Sequence, residues 1–186
     1  LDNFDPFYDV AIKRRRIDEL VAAFGDRLEL VEGDLRELAT CEQVTAGVGG
    51  VIHLAALAGV RPSIEDPVRY MDVNVRGTQQ LLSAVVRQSP GVPFVFGSSS
   101  SVYGGNEKIP FAESDPVDHP VSPYAASKKA GEVLCHAMHH LHGVPMTCLR
   151  FFTVYGPWGR PDMAPMIFAR KIIAGETIDV FNYGNH

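Results

Sequence analysis

The chain has 186 residues, of which 46% are hydrophobic, and this length is enough for a domain with a buried core. A formal net charge of -5 disfavours a general nucleic-acid-binding surface. No apolar run is long enough to span a bilayer, and the first residues lack the basic and apolar regions of a secretory signal, so we expect no membrane partner. Three widely spaced cysteines favour reduced thiols in the cytoplasm over a disulfide framework or a zinc site.

Short β-rich runs alternate with longer helical runs along the chain. In chain order, the pattern predicts a helix over 9–24, strands over 27–32 and 51–54, a helix over 66–88, a strand over 93–96, a helix over 122–142, a strand over 145–150 and a helix over 163–174. Two of the helices begin with an N-cap residue followed by proline, at Asp66-Pro67 and Ser122-Pro123. This alternation predicts an α/β protein with a parallel sheet and right-handed βαβ units.

In such a sheet ligands bind at the carboxyl ends of the strands, and the strongest chemical signal lies in the helix after one of them. Tyr124 and Lys128 are four residues apart in Tyr-Ala-Ala-Ser-Lys, so both project from one helix face. An ammonium near a phenol favours the phenolate, and Tyr124 could then act as a base near neutral pH. The alternative is a partly exposed surface pair.

A run of four serines, Ser98 to Ser101, follows the strand predicted over 93–96. Hydroxyls at the carboxyl end of a strand can hydrogen-bond a substrate hydroxyl, although such a run is more commonly a simple loop. The run precedes the Tyr124 helix in the order that a parallel sheet needs to bring the two together.

Three further strand ends are compatible with a dinucleotide. Asp34 follows a strand and could hold an adenine edge, cap a helix, or do both. The small residues in His53-Leu54-Ala55-Ala56 would let a cofactor backbone approach closely, or they could serve strand–helix packing. Asp2 is an acidic residue placed to bind ribose hydroxyls, although a lone aspartate would have no meaning by itself.

Two other groups of residues receive structural interpretations. Histidines 136, 139, 140 and 142 lie near one another, but no carboxylate or cysteine motif accompanies them, so we expect a solvated helix end and no metal site. The basic run Lys13–Arg16 is followed by Asp18-Glu19 and is expected to be a solvated helix face.

Taken together, these segments resemble the extended short-chain dehydrogenase/reductases of the sugar-nucleotide epimerase and dehydratase family. The resemblance runs from Leu1 to His186. The segments that follow the family's order are 2–3, 33–35, 53–56, 74–78, 98–104, 122–128 and 149–152. Residues 2–9 and 151–163 are most similar to the subgroup of UDP-glucuronate 4-epimerases. Val102-Tyr103 stands where the 4,6-dehydratases carry an acidic pair, which argues against dehydration.

The resemblance implies a Rossmann-like, doubly wound parallel sheet. It places an NAD-binding domain over residues 1–150 and the beginning of a substrate-binding region over 151–186. It also places the glycine-rich phosphate loop and first βα unit before Leu1, and more of the substrate domain after His186. The chain is therefore expected to be truncated at both ends.

The resemblance also implies the reaction, which is NAD-dependent epimerisation of a UDP-sugar at C4 through a 4-keto intermediate, with UDP-glucuronate and UDP-galacturonate as the pair. The implied catalytic residues are Tyr124, Lys128, Ser99 and Ser101. The implied NAD-binding residues are Asp2, Asn3, Asp34, Leu35, Leu54, Ala55, Ala56, Asn74, Tyr124 and Lys128. The implied substrate-binding residues are Ser99, Ser100, Ser101, Thr153, Arg160 and Arg61.

The sugar assignment depends most on Arg160, because a guanidinium matches the C6 carboxylate that distinguishes glucuronate from glucose. The alternative is a surface arginine that pairs with Asp162 or caps the next helix. A UDP-glucose 4-epimerase, another sugar-nucleotide oxidoreductase and an inactive NAD-fold fragment remain open as alternatives. We expect a homodimer for the full-length protein.

Overall fold

The computed structural model describes residues 1–180 and 184. The chain divides into two compact units, one formed by Leu1–Asn3 and Leu30–Phe152 and the other by Phe4–Glu29 and the chain from Thr153. The domain division predicted at residue 150 stays a proposal about the full protein.

A parallel sheet of three strands forms the centre of the first unit. Its strands are β1 (Val51–His53), β2 (Phe94–Ser99) and β3 (Met146–Phe151), in the order β1-β2-β3. This confirms the predicted α/β class with a parallel sheet. Strand β2 is longer than predicted, because Gly97, Ser98 and Ser99 continue to pair with β3.

Seven α-helices lie within the described residues. They are α1 (Val10–Phe24), α2 (Leu38–Thr45), α3 (Val60–Glu65), α4 (Pro67–Tyr70), α5 (Gly77–Gln88), α6 (Pro123–His142) and α7 (Ala164–Ala174). The two predicted caps are confirmed: the Asp66 carboxylate accepts from Arg69 N, and Ser122 Oγ accepts from Ala125 N. The pattern did not predict the short helices α2 and α3.

The helix predicted over 66–88 contains a turn of different geometry. Residues Met71–Arg76 form a π-helical turn between α4 and α5. Such turns insert a residue into a helix and occur often at functional sites. Here the turn contains Asn74, whose side chain is buried.

The strand predicted over 27–32 is wrong. Only Glu32 forms a bridge, with Asp2, through hydrogen bonds from Asp2 N to Val31 O and from Gly33 N to Asp2 O. A single bridging pair does not make a ladder, so the alternating apolar residues of this run have no strand among the described residues.

The core of the first unit packs α2, α5 and α6 against one face of the sheet. Phe94 and Phe96 of β2 are fully buried there with Leu82 and Val85 of α5. Burial of each such side chain contributes about 1.5–3 kcal/mol. Gly131 brings α6 close to β2, because a Cβ at that position would overlap with the Phe96 ring. The core therefore fixes α6 directly over β2.

Within the residues that the structure describes, none of the helices combines the length and hydrophobicity needed to cross a bilayer.

Candidate active site

Tyr124 lies in the first turn of α6, just after the capping residue Ser122. Its ring packs edge-on against Tyr70, with 6.3 Å between the ring centroids, and contacts the small cluster formed by Leu57, Tyr70 and Val73. Among the described residues, the phenol oxygen has no hydrogen-bond partner. A positioned ring with an unengaged hydroxyl suits a proton-transfer role.

Lys128 follows one helical turn later and is buried, with 5% of its surface exposed. Its Nζ donates to Gly97 O at 2.7 Å and lies 5.2 Å from the centre of the Phe96 ring. Burial lowers the pKa of Lys128 to about 8. In the described part of the chain, the Lys128 ammonium has one hydrogen-bond acceptor, Gly97 O. The other two N–H groups of the ammonium can therefore donate to a ligand.

The serine run is divided between two elements. Ser98 and Ser99 are the last residues of β2, and Ser100 and Ser101 begin a 3₁₀ turn that ends at Tyr103. Ser99 Oγ accepts a hydrogen bond from Ser101 N at 3.2 Å. This bond uses the acceptor side of Ser99, so its hydroxyl proton can be donated to a bound oxygen.

Asn74 ties the loop after β1 to α6. Its Nδ2 donates to Leu57 O and to Ser127 Oγ, both at 2.9 Å, and its Oδ1 accepts from Leu57 N at 2.8 Å. Ser127 Oγ in turn donates to Tyr124 O at 2.7 Å. The amide is thus engaged within the protein, and its predicted role in binding NAD stays a prediction.

His53 is a buried residue of the site region to which the sequence pattern assigned no role. Its Nε2 lies 2.9 Å from Thr78 Oγ1, and its ring centroid lies 6.0 Å from that of Phe94 and 5.7 Å from that of Phe96. Burial, and then the nearby charge of Lys128, lower the pKa of His53 to about 3. A neutral imidazole here joins the end of β1 to α5.

Asn3 and Asp34, two of the residues predicted to bind NAD, are hydrogen-bonded to each other. Both carboxylate oxygens of Asp34 accept from the Arg36 side chain, at 3.0 and 2.7 Å, and one also accepts from Asn3 Nδ2. Hydrogen bonds from Arg36 hold the pKa of Asp34 well below its usual range. Asp34 is therefore a fixed anion that caps its own turn, while neighbouring Leu35 is buried in the core.

The end of β1 offers small or accessible side chains. Leu54 is exposed, whereas Ala55 and Ala56 are half-buried. Leu54 and Ala55 line a cavity of about 420 Å³ that Asp2 also lines. These residues form an open edge rather than a closed core.

Arg160 and Thr153, two of the three residues predicted to bind the sugar carboxylate, lie in the second unit. The Arg160 guanidinium forms a bidentate pair with Asp162, at 2.9 and 2.8 Å, and lies 5.4 Å from the Phe7 ring centre. Thr153 is exposed in the same unit. Arg61 belongs to the first unit, at the beginning of α3, and is exposed.

A partly buried ion pair between the middle of α6 and the end of β3 was not predicted. Arg150 forms a bidentate contact with Glu132, which also accepts from Ser98 Oγ. The available signal was spacing, because Glu132 lies four residues after Lys128 and so shares its helix face.

No cluster of three metal-ligating side chains occurs over residues 1–180 and 184. Within the histidine group, His139 Nδ1 lies 2.9 Å from Val144 O, at the end of α6. That contact is structural.

Comparison with known proteins gives a consistent result. The NAD dependent epimerase/dehydratase family matches residues 6–186. UDP-glucuronate 4-epimerase 2 of Arabidopsis thaliana is 46% identical over 188 residues, covering 100% of this chain and 43% of that protein. A probable UDP-glucuronate 4-epimerase of Rhizobium meliloti is 44% identical, covering 98% of this chain and 53% of that protein. The chain thus spans about half or less of the length of these relatives.

Solved structures agree on the fold. The UDP-glucuronic acid 4-epimerase of Bacillus cereus, in complex with UDP-glucuronic acid and NAD, is 33% identical with a TM-score of 0.86, covering 97% of this chain and 56% of that one. The dTDP-glucose 4,6-dehydratase DesIV of Streptomyces venezuelae is 32% identical with a TM-score of 0.81, covering 89% of this chain and 50% of that one. The parallel sheet is therefore Rossmann-like, as predicted. The match over 6–186 shows that this chain is a member of the NAD dependent epimerase/dehydratase family.

Proposed function

We propose that the full protein interconverts UDP-glucuronate and UDP-galacturonate by NAD-dependent epimerisation at C4. The observation that carries this proposal is the arrangement of Tyr124 and Lys128 on one face of α6, with the buried Lys128 ammonium bonded to Gly97 directly before the serine run. The names of the relatives support the sugar, and the Bacillus cereus structure supports the cofactor.

The residues present fit an NAD nicotinamide ribose at this place. Lys128 is a buried cation that meets one acceptor among the described residues, and such a group is costly to bury unless it meets more. Ribose hydroxyls are acceptors of this kind. Ala55 and Ala56 leave room for a cofactor backbone after β1. When bound, NAD accepts a hydride from C4 of the sugar and returns it.

The chain's own residues move the proton. Tyr124 takes the proton of the C4 hydroxyl as the C4–H bond breaks, which leaves a C4 ketone on the sugar. Lys128 lies one helical turn after Tyr124 on the same face of α6, where its remaining N–H groups can hold the cofactor ribose beside this step. Ser99 donates its hydroxyl proton to the C4 oxygen and so orients it. In the second half-reaction, Tyr124 returns the proton as hydride adds to the opposite face of C4, which inverts the configuration.

Arg160 is the residue proposed to bind the C6 carboxylate of the sugar. Thr153 is a second donor, and Arg61 is a further basic candidate. The support for this assignment is the chemical match between a guanidinium and a carboxylate. The bidentate pair that Arg160 forms with Asp162 is the contact that the alternative, structural interpretation expects. A substrate carboxylate would take the place of Asp162 or share the guanidinium with it.

The test is turnover by the full-length protein. Purified protein is incubated with NAD and UDP-glucuronate, and the sugar released by acid hydrolysis is identified by chromatography. We expect galacturonate, with UDP-glucose converted much more slowly under the same conditions. Preferred conversion of UDP-glucose, or a product that has lost water, would contradict the proposal.

A homodimer is inferred for the full protein. An apolar groove of about 440 Å³ runs along the outer face of α6, lined by Val75, Ala126, Ala130 and Val133 among others, and Val133 is 54% exposed. Contiguous apolar surface of this kind marks protein interfaces. Sedimentation of the full protein should show a dimer, and Val133→Glu should shift it toward monomer.

A cytoplasmic location is also inferred. Its support is that Cys41, Cys135 and Cys148 are all free thiols in the structure. Thiols persist in reducing compartments, whereas secreted proteins tend to pair them.

A further inference from the structure

Glu132 and Arg150 form a partly buried bidentate ion pair in the first unit. Arg150 Nε lies 2.9 Å from Glu132 Oε1, and Nη2 lies 3.0 Å from Oε2. The Arg150 side chain is 19% exposed, and the Glu132 side chain is 10% exposed. Burial by itself raises the pKa of Glu132, but hydrogen bonds from Arg150 and Ser98 lower it below its ordinary value. The pair is therefore a fixed element of the structure, unlike an exposed ion pair.

Glu132 also binds the strand that carries the serine run. Ser98 Oγ donates to Glu132 Oε1 at 2.6 Å. One turn earlier on the same helix face, Lys128 Nζ donates to Gly97 O. Two consecutive residues of β2 are thus each bound to a side chain of α6. These bonds fix the position of the helix along the strand at the point where the strand reaches Ser99.

Arg150 secures the other side of the same strand end. It is the β3 partner of Ser98 in the sheet. Its Nη1 donates to Glu113 O at 3.2 Å, and its guanidinium lies 5.0 Å from the Tyr103 ring centre. Tyr103 ends the turn that holds Ser100 and Ser101. From its place on β3, one guanidinium therefore contacts α6, the Glu113 carbonyl and the last residue of the turn that holds Ser100 and Ser101.

We propose that Glu132 and Arg150 are positioning residues for the epimerisation proposed above, on which this inference rests. They hold Ser99 on β2 in register with Tyr124 and Lys128 on α6, so that Ser99 and Tyr124 meet one C4 oxygen while Lys128 holds the cofactor ribose. Reaction rates are sensitive to such geometry, since a displacement of about 1 Å can cost about 100-fold. A pair that served stability alone would affect unfolding but not the catalytic step.

The test uses the full-length protein with NAD and UDP-glucuronate, and it measures kcat, KM and the unfolding temperature. Ser98→Ala removes one bond to Glu132 and leaves the ion pair intact, whereas Glu132→Gln removes the charge. We expect both to lower kcat by about 10-fold to 100-fold with KM unchanged. Ser98→Thr restores the hydroxyl and should recover most of the rate.

The matched control is Arg87→Met, which breaks the ion pair between Arg87 and Glu42 on α5 and α2. It should leave kcat at the wild-type value. The inference is overturned if Ser98→Ala and Glu132→Gln lower the unfolding temperature but keep the kcat of the control, or if Ser98→Thr loses as much rate as Ser98→Ala. Ser98→Ala keeps the test decisive if Glu132→Gln folds poorly. Failure of the proposed function would look different, because the wild-type protein itself would then not convert UDP-glucuronate.

Discussion

The ring of Tyr124 is fixed by packing at the beginning of α6, and within the described part of the chain its hydroxyl has no hydrogen-bond partner. Tyr124→Phe keeps the ring and its contact with Tyr70 while removing the proposed base. Loss of a positioned acid–base group typically lowers rates by about 100-fold to 10,000-fold. We expect a loss in that range for turnover of UDP-glucuronate by the full-length protein, with NAD binding retained in calorimetry. Near-normal turnover would remove Tyr124 from the mechanism.

Lys128 should make the stability of the protein depend on pH. Its pKa is about 8 in the folded state, against 10.5 for an unperturbed lysine, because burial disfavours the charge. Between these values the unfolded chain binds more protons, so the free energy of unfolding rises with pH. Below pH 8 the lysine is protonated in both states, and the cost of burying its charge is fully present.

The comparison that isolates this effect is Lys128→Met in the full-length protein without cofactor. One pKa unit corresponds to about 1.4 kcal/mol, so wild type should gain roughly 2–3 kcal/mol relative to the variant between pH 8 and 10.5. Urea unfolding at several pH values measures the difference. A difference that stays constant across this window would show that burial does not shift Lys128.

In the proposed function, Arg160 is the residue that distinguishes UDP-glucuronate from UDP-glucose. Its guanidinium already holds the Asp162 carboxylate, so two explanations compete: a structural pair or a substrate contact. A lost charge-assisted bond of this type is worth about 1.5–3 kcal/mol, or about 10-fold to 150-fold in affinity. Arg160→Leu should weaken use of UDP-glucuronate by that factor and use of UDP-glucose much less. Equal losses for the two sugars would assign Arg160 to structure, as would a similar loss in Asp162→Asn.

At the scale of elements, the features that could be predicted from the sequence are those that depend on local periodicity and capping. The N-caps of α4 and α6 and the shared face of Tyr124 and Lys128 follow from spacing alone. The π turn at Met71–Arg76 could not be predicted, because one inserted residue hardly changes the apolar pattern of a helix. Residues 27–32 have the alternating apolar pattern of a strand, but they form no strand. A strand also needs a neighbouring strand to pair with along its length, and local sequence does not reveal that neighbour.

The closeness of α6 and β2 depends on Gly131. A Cβ at this position would overlap with the buried Phe96 ring. Gly131→Ala should therefore destabilise the protein by about 1–3 kcal/mol through overpacking, although alanine favours a helix by about 1 kcal/mol over glycine. Chemical unfolding measures the change. Gly49→Ala is the control, since its Cβ would meet nothing within 4 Å. Equal stability of the two variants would show that α6 can move away from β2 without cost.

At the scale of the whole molecule, the candidate site of the first unit is assembled from distant parts of the chain. Asn74 and Ser127 are 53 residues apart in sequence, and Ser98 and Glu132 are 34 apart. Parallel strands make this possible, because their carboxyl ends lie at one edge and each is followed by a helix that returns across the sheet. Spacing places Glu132 on the helix face of Lys128, but it does not reveal the contacts of Glu132 with Ser98 and Arg150. That explains why the ion pair was not predicted.

Helices cover one face of the three-stranded sheet, and the other face is exposed. Strand β3 alternates half-buried and exposed residues, and Ile52, Leu149 and Phe151 on the exposed face are 72%, 40% and 41% accessible. Parallel sheets normally have both faces covered. The 186-residue chain, produced by itself, should therefore bind a hydrophobic dye and self-associate as its concentration rises.

Ile52→Thr tests whether this face is responsible. Threonine keeps the β-branched shape that suits a strand but removes apolar surface from the centre of the patch. We expect lower dye fluorescence and less association for this variant of the 186-residue chain. Ile109→Thr is the matched control, because Ile109 is 90% exposed but belongs to none of the three strands. An equal reduction in both variants would mean that the dye reports scattered apolar residues, and equal dye binding by the full-length protein would mean that the remaining parts of the protein do not cover this face.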